Sequence, residues 1–153
     1  MRTIPICLIA LIGLVGCAPP KPPELAVGQT WSVESRRGDG ASSVTVLHIE
    51  NSTPFGPVAV VSINNVVLKL PDKRTVNGIQ PVFITLDALK RSITTFEANQ
   101  TRKLPYESYL DRWREIVKET DGERFVFRRP IKDSLDEIES GRTEPWALRK
   151  SVR

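Results

Sequence analysis

Between residues 29 and 70, apolar side chains recur at every second position or in short continuous runs, as in β-strands. Trp31–Ser35 alternates between apolar and polar residues, and Ser43–Glu50 is rich in β-branched residues, so each segment predicts a strand. Val58–Leu70 is apolar apart from a few positions, including the pair Asn64-Asn65. That pair suits either a two-residue turn or a bulge, and we favour one long strand. Short connections between these segments predict an antiparallel meander.

The period changes to that of a helix in the second half of the chain. Thr85 is a suitable N-cap for a helix over Leu86–Phe96, in which apolar residues are spaced by three or four. Pro105 can occupy the first position of a second helix, which Asp121-Gly122 would end. The residues of its expected inward face are Tyr106, Tyr109, Leu110, Trp113, Ile116 and Val117.

The last elements are shorter. Phe125–Phe127 predicts a short strand, and Pro130 is placed to open a third helix that Gly141 would close. The residues expected to face inward on it are Ile131, Leu135 and Ile138. The predicted fold class is therefore α+β, a small antiparallel sheet of three to five strands with two or three helices packed on one face.

Composition limits the class of protein. The chain has 153 residues, of which 40% are hydrophobic and 26% charged, so it matches a globular protein rather than a disordered one. The net charge of +4 is spread along the chain, and we expect no nucleic-acid partner. Both cysteines, Cys7 and Cys17, precede the predicted strands, so the folded part is expected to have no disulfide.

The N-terminus has the pattern of a secretory signal. Arg2 precedes the apolar stretch Ile4–Val15, and Gly16 is a small residue before a potential cleavage site. The stretch has 12 residues, whereas a membrane-spanning helix needs about 20. We therefore expect residues 1–16 to be removed.

The end of this segment, Leu14-Val15-Gly16-Cys17, resembles the lipobox of bacterial lipoproteins. The resemblance covers residues 1–18 and is specific in composition, order and position. It implies that the Cys17 thiol receives a diacylglyceryl group, that a dedicated signal peptidase cuts before Cys17, and that the new amino group is acylated. Ala18 resembles the pattern of outer-membrane sorting in Gram-negative lipoproteins. The implied location is a lipid anchor in the outer membrane, facing the periplasm.

A tether is expected to join the anchor to the domain. The segment 18–24 contains four prolines in seven residues, which favours an extended polyproline conformation. The predicted organisation is a signal peptide over 1–16, the lipidated cysteine and tether over 17–24, one globular domain over 25–141, and a basic, loosely attached tail over 142–153.

His48 is the only histidine of the chain, so a site with two histidine ligands is excluded. On a regular strand it shares one face with Val44 and Val46, which favours a structural role. A general base beside a serine is the alternative, although the chain has no Gly-x-Ser-x-Gly sequence.

Acidic residues are the other candidates for chemistry. They lie on the second and third helices at Glu107, Asp111, Glu115, Asp133, Asp136, Glu137 and Glu139. Because they alternate with basic residues, the pattern favours a solvent-facing helix surface over a catalytic pair. We expect no catalytic residue, metal or cofactor.

Two tryptophans have different expected roles. Trp113 lies on the apolar stripe and is expected in the core, whereas Trp146 lies among basic residues and is a candidate for contact with a partner or with the membrane. The strand at Trp31 and the helix containing Trp113 resemble those of small uncharacterised proteobacterial lipoproteins.

The favoured hypothesis is a non-catalytic, lipid-anchored module that binds an envelope protein, of which an inhibitor or immunity protein is one type. A structural, self-associating envelope protein is one alternative. An envelope hydrolase that uses His48 is the other.

Overall fold

The computed structural model describes residues 23–100, 103–119 and 125–143. These residues form one sheet of six strands and three helices. The strands are β1 Gln29–Val33, β2 Ser43–Glu50, β3 Val58–Lys69, β4 Thr75–Thr85, β5 Ile93–Asn99 and β6 Val126–Phe127. The helices are α1 Leu86–Ser92, α2 Glu107–Glu119 and α3 Ile131–Glu139.

The strand order is β5-β1-β2-β3-β4-β6. Neighbouring strands are antiparallel except β4 and β6, which are parallel, with Phe83 opposite Val126. The α+β class is therefore confirmed. The prediction of a wholly antiparallel sheet of three to five strands was wrong, because β4 was missed and β5 was assigned to a helix.

The central strands follow the hydrophobic pattern closely. β2 has the predicted bounds, and β3 is one strand through Asn64 and Asn65, as favoured. Asn65 adopts a positive φ of 57°, a conformation that asparagine tolerates better than most residues. Beyond this point β3 runs past the end of β2 and pairs with β4 alone.

The predicted helix over Leu86–Phe96 is half helix and half strand. The Thr85 hydroxyl accepts a hydrogen bond from the Ala88 amide at 3.3 Å, so the predicted N-cap is confirmed. The helix ends at Ser92, and the backbone of Ile93 is extended. The prediction failed because Ile93-Thr94-Thr95-Phe96 satisfies helical spacing, while its three β-branched residues favour the strand that pairs with β1.

The helices cover both faces of the sheet, so the prediction of helices on one face was also wrong. Helices α1 and α3 pack on one face through Ala88, Leu89, Ile131, Leu135 and Ile138. Helix α2 packs on the other face through Leu110 and Trp113. Successive residues of β3 serve the two cores alternately: Val58 and Val60 face α2, whereas Ala59, Val61 and Ile63 face α1 and α3.

Helix α3 agrees with its prediction. Pro130 precedes its first residue, and Ile131, Leu135 and Ile138 are buried. Gly141 follows with a φ of 74°, and its amide donates to the Ile138 carbonyl at 3.0 Å. The Ile131 amide donates to the Ser92 hydroxyl at 2.9 Å, which joins the start of α3 to the end of α1.

Candidate functional site

Helix α2 is held to the sheet by an aromatic contact. The indole ring of Trp113 stacks on the ring of Phe83, with 4.8 Å between centroids and 13° between planes. Trp113 is 3% exposed, so its predicted place in the core is confirmed. Tyr109 was predicted to face inward but is 40% exposed. One large apolar side chain of this helix therefore remains on the surface.

A shallow groove of about 470 Å³ lies between α2 and the loop that follows β2. We call it the α2 groove. Trp113 and Val117 are its apolar lining residues, and Pro54 adds a third apolar surface. The polar lining residues are Glu50, Ser52, Thr53, Arg114 and Lys118.

The loop that forms one wall of the groove is shaped by Thr53. Its hydroxyl accepts from the Phe55 amide at 3.1 Å and donates to the Gly56 carbonyl. Phe55 packs against the core below α2, and the Arg128 guanidinium lies 5.1 Å from the centre of its ring. The wall is therefore anchored both by its own hydrogen bonds and by a side chain that reaches the core.

An ion pair joins the strand end to the helix. Arg114 Nε donates to Glu50 Oε2 at 3.0 Å, Arg114 Nη2 contacts the same oxygen, and Arg114 Nη1 donates to Asp111 Oδ1 at 3.3 Å. The hydrogen bond from Arg114 lowers the pKa of Glu50, and the same bond raises the pKa of Arg114. Lys118 also lines the groove and forms no ion pair with any residue that the structure describes.

The indole nitrogen of Trp113 has no hydrogen-bond acceptor within the described ranges of the chain. An unmatched buried donor costs about 1–3 kcal/mol relative to one that is hydrogen-bonded. Trp113, which lines the α2 groove, therefore contributes apolar packing, whereas its indole nitrogen lacks an acceptor among the described residues.

His48 does not face the side of the sheet that the alternating pattern predicted. A bulge between Val46 and His48 places an extra residue in β2, so that His48 pairs with Val60 while Val46 pairs with Val61. Leu47 and His48 both face α2, and the imidazole stacks on Tyr106 at 5.6 Å between centroids. The expectation that His48 shares a face with Val44 and Val46 was wrong.

His48 lies near one carboxylate, that of Glu50. His48 Nε2 lies 3.8 Å from Glu50 Oε2, beyond hydrogen-bonding distance, and its side chain is 29% exposed. The Glu50 carboxylate is already held by Arg114. No serine or threonine hydroxyl hydrogen-bonds to His48 among residues 23–100, 103–119 and 125–143.

The acidic residues on α2 form local contacts. Asp111 pairs with Arg114, and Glu115 pairs with Arg112 at 2.8 Å. Glu107 accepts from the Tyr106 amide, and hydrogen bonds from backbone amides lower its pKa. These contacts are those of a solvent-facing helix surface.

The acidic residues of α3 divide between local surface contacts and a partly buried network around Arg36. Glu137 pairs with Arg129 at 2.9 Å, and Asp133 is exposed. Asp136 and Glu139 instead reach Arg36, at 3.4 and 3.1 Å. The sequence analysis did not single out Arg36.

Arg36 is the centre of that network. Its guanidinium donates to both carboxylate oxygens of Asp39, at 2.9 and 3.2 Å, and to the Val67 carbonyl at 3.0 Å. Asp39 in turn accepts from the Val67 amide at 3.2 Å, and Glu139 accepts from the Lys69 amide at 2.9 Å. These side chains form hydrogen bonds with backbone groups of β3 beyond the end of β2. The network therefore satisfies donors and acceptors that an open sheet edge would leave unpaired.

Two predicted positions, Cys17 and Trp146, lie outside the described residues. Among the residues that are described, no three His, Cys, Asp or Glu side chains group as metal ligands do, and no helix has the length and apolar character needed to cross a bilayer. Comparison with protein-family models, curated protein sequences and solved structures finds no match to this chain.

Proposed function

We propose that this chain is a lipid-anchored lipoprotein of the bacterial cell envelope whose small domain binds another envelope protein and performs no catalysis. The observation that carries the anchor is Leu14-Val15-Gly16-Cys17 at the end of a short apolar segment. Lipid chains stabilise membrane binding by about 0.8 kcal/mol per buried methylene, so two or three chains on Cys17 hold the protein permanently. With Ala18 next in the chain, the proposed place is the outer membrane, facing the periplasm.

The anchor is tested by Cys17→Ser, with Cys7→Ser as the matched control. Both changes remove one sulfur from the same N-terminal segment, but only Cys17 is the proposed acceptor of lipid. We expect Cys17→Ser to abolish the acyl mass, to block cleavage before residue 17 and to lower retention of the protein in the membrane fraction. Cys7→Ser is expected to leave all three unchanged. A Cys17→Ser chain that still matures and stays with membranes contradicts the proposal.

The α2 groove supports binding as the activity of the domain. It combines the apolar surfaces of Val117 and Pro54, beside the buried ring of Trp113, with the cation of Lys118, which has no ion-pair partner among the described residues. Exposed apolar surface rimmed by polar groups is typical of protein-binding sites. The acid that lines the groove, Glu50, is engaged by Arg114 and is therefore not available as a free carboxylate.

Site-specific photo-crosslinking in cells tests this surface. A photoreactive residue in place of Ser52, an exposed residue that lines the α2 groove, leaves Lys118 intact, and one in place of Lys73, at the β3–β4 turn, is the control. We expect a discrete higher-mass adduct from position 52 and none from position 73. Equal adducts at both positions, or none at 52, would count against partner binding at the groove.

The sheet edges argue against the structural, self-associating alternative. Two bulges interrupt the pairing of β5 with β1, β6 has only two residues, and the Arg36 network occupies the outer part of β3. Bulged, short or covered edges do not template pairing with another chain. We therefore expect the unlipidated chain to be monomeric in size-exclusion chromatography.

The hydrolase alternative retains one supporting observation, the 3.8 Å approach of His48 to Glu50 at a partly exposed position. It predicts that the wild-type chain hydrolyses envelope peptide or peptidoglycan and that the His48→Ala variant does not. Absence of any such hydrolysis by the wild type removes this alternative.

A further inference from the structure

The point at which the tether meets the domain is fixed by one side chain, that of Gln29. Its amide nitrogen donates to the Glu24 carbonyl at 3.0 Å, and its amide oxygen accepts from the Ala26 amide at 2.9 Å. The same oxygen accepts from Trp31 Nε1 at 3.0 Å, and Gln29 is only 8% exposed. The backbone of residues 24–26 is therefore part of the fold, and free chain can begin only before Glu24.

This entry point lies on the α1 and α3 side of the sheet. Leu25 packs against the core below those two helices. Pro23 and Glu24 line a surface depression together with Lys90 at the end of α1 and Ile93 at the start of β5. Helix α2 and its groove lie on the opposite face of the sheet from the core that Leu25 contacts.

The length of chain between anchor and domain limits how the domain can turn. Six residue steps separate Cys17 from Pro23 in the sequence. At about 3.1 Å per residue in a polyproline conformation, they span roughly 19 Å. The segment 17–23 contains four prolines, and the fixed φ of proline disfavours a segment that folds back on itself. To point α2 at the bilayer, this short segment would have to pass around the β5 edge of the sheet.

From this geometry we infer that the α1 and α3 side of the domain faces the bilayer and that the α2 groove faces away, into the aqueous compartment. The inference rests on the proposed lipid anchor. Charge adds little to it, because Lys90 at the bilayer-facing side has Glu24 beside it in the same depression. The geometry of the tether and its entry point carry the orientation.

Energy transfer from single labelled positions to the membrane tests the orientation. In the mature lipidated chain the Cys17 thiol is blocked and Cys7 is removed, so one introduced cysteine is the only free thiol. Lys90→Cys places a donor fluorophore on the α1 side, and Ser108→Cys places it on an exposed position of α2. The full lipidated protein is bound to phospholipid vesicles that contain an acceptor-labelled lipid.

The expected result is a larger loss of donor emission at position 90 than at position 108. Equal losses, or a larger loss at position 108, would overturn the orientation. Vesicle retention and acyl mass are measured on the same samples. Retention with equal losses leaves the anchor standing and refutes only the orientation, whereas loss of retention and of acyl mass refutes the proposed function itself.

A longer tether provides a second variant that leaves the fold untouched. About twelve Gly and Ser residues inserted between Pro22 and Pro23 add a flexible span of roughly 19 Å. We expect the difference between positions 90 and 108 to collapse while vesicle retention stays unchanged. If the difference persists, the tether does not set the orientation and the inference fails.

Discussion

Replacement of Arg36 by Met would remove the cation that joins the loop after β1, the edge of β3 and helix α3. The Arg36 side chain is 9% exposed, and its main partner, Asp39, is 4% exposed. Without the guanidinium, the Asp39 carboxylate keeps the Val67 amide, at 3.2 Å, and the backbone amide of residue 36 as donors. Met fills a similar volume, so the variant isolates the loss of charge and hydrogen bonds from the loss of packing.

Breaking a buried ion pair by removal of one partner costs about 3–5 kcal/mol, because the other charge stays buried and uncompensated. We expect about 2 kcal/mol for Arg36→Met, between this range and the roughly 0–1 kcal/mol of exposed pairs, because Arg36 and Asp39 are of intermediate burial and Asp136 is 56% exposed. Domains of this size have free energies of unfolding of about 5–15 kcal/mol, so the loss is a large fraction of the total.

Urea unfolding of the purified chain measures this loss as a change in midpoint at constant m. Arg74→Met is the matched control, because Arg74 pairs with Asp72 at 2.5 Å but both side chains are about 40% exposed. Exposed pairs contribute about 0–1 kcal/mol. If Arg36→Met costs no more than Arg74→Met, the network around Arg36 does not stabilise the fold as its geometry implies.

The cost of Arg36→Met should also depend on pH. Burial by itself raises the pKa of Asp39, but the hydrogen bonds from Arg36 and from the Val67 amide outweigh it and hold the pKa below its usual range. A carboxylate with a lowered pKa in the folded state contributes stability at neutral pH that is lost as pH falls through that pKa. The difference between wild type and Arg36→Met should therefore shrink below about pH 3.9, the ordinary pKa of aspartate. An unchanged difference at acidic pH would contradict this assignment.

Three further substitutions test separate parts of the fold by the same urea measurement. Thr85→Ala removes the N-cap of α1 and should cost about 1 kcal/mol, and no change in midpoint would refute the capping role. Gly78→Ala should cost at least about 1–2 kcal/mol, because Gly78 has a φ of 76° and a new Cβ would lie 3.0 Å from the Ile63 carbonyl oxygen. Leu135→Ala should cost about 2–5 kcal/mol because Leu135 is 1% exposed in the core below α3, and a loss under 1 kcal/mol would contradict that burial.

Strand β4 illustrates why part of the sheet could not be predicted from local pattern. Asn77-Gly78 and Pro81 are turn signals, and they interrupt the alternation of Thr75–Thr85. In the structure both fall where the pairing with β3 shifts register, between Ile63 and its neighbours. Proline and glycine are tolerated at such irregularities. The strand is defined by its pairing with β3 and β6, which no window of the sequence contains.

The placement of α2 could have been predicted more closely. The apolar run at Val58–Ile63 was recognised as a strand, but its continuity carries further information. A strand with one solvated face alternates, whereas a strand covered on both faces is apolar throughout. The run therefore implied helices on both sides of the sheet, and the inward stripe of α2, containing Leu110 and Trp113, was available to cover the second face. What the pattern could not provide is which helix takes which face, because each helix has a suitable stripe.

One extra residue in β2, at the bulge between Val46 and His48, determines which side chains form the candidate site. Alternation from Val44 and Val46 places His48 below α1 and α3, and the residues on either side of it below α2. The extra residue at the bulge turns Leu47 and His48 to the same side, and Ile49 then returns to the α1 and α3 core. Without the bulge, the imidazole would be buried among aliphatic residues, and the residue paired with Arg114 would lie on the other face. A bulge turns the side chains that follow it to the other face of the strand, while Val46 before it and Ile49 after it stay in the core below α1 and α3. The bulge therefore brings His48 and Glu50 to α2, the helix that forms the groove.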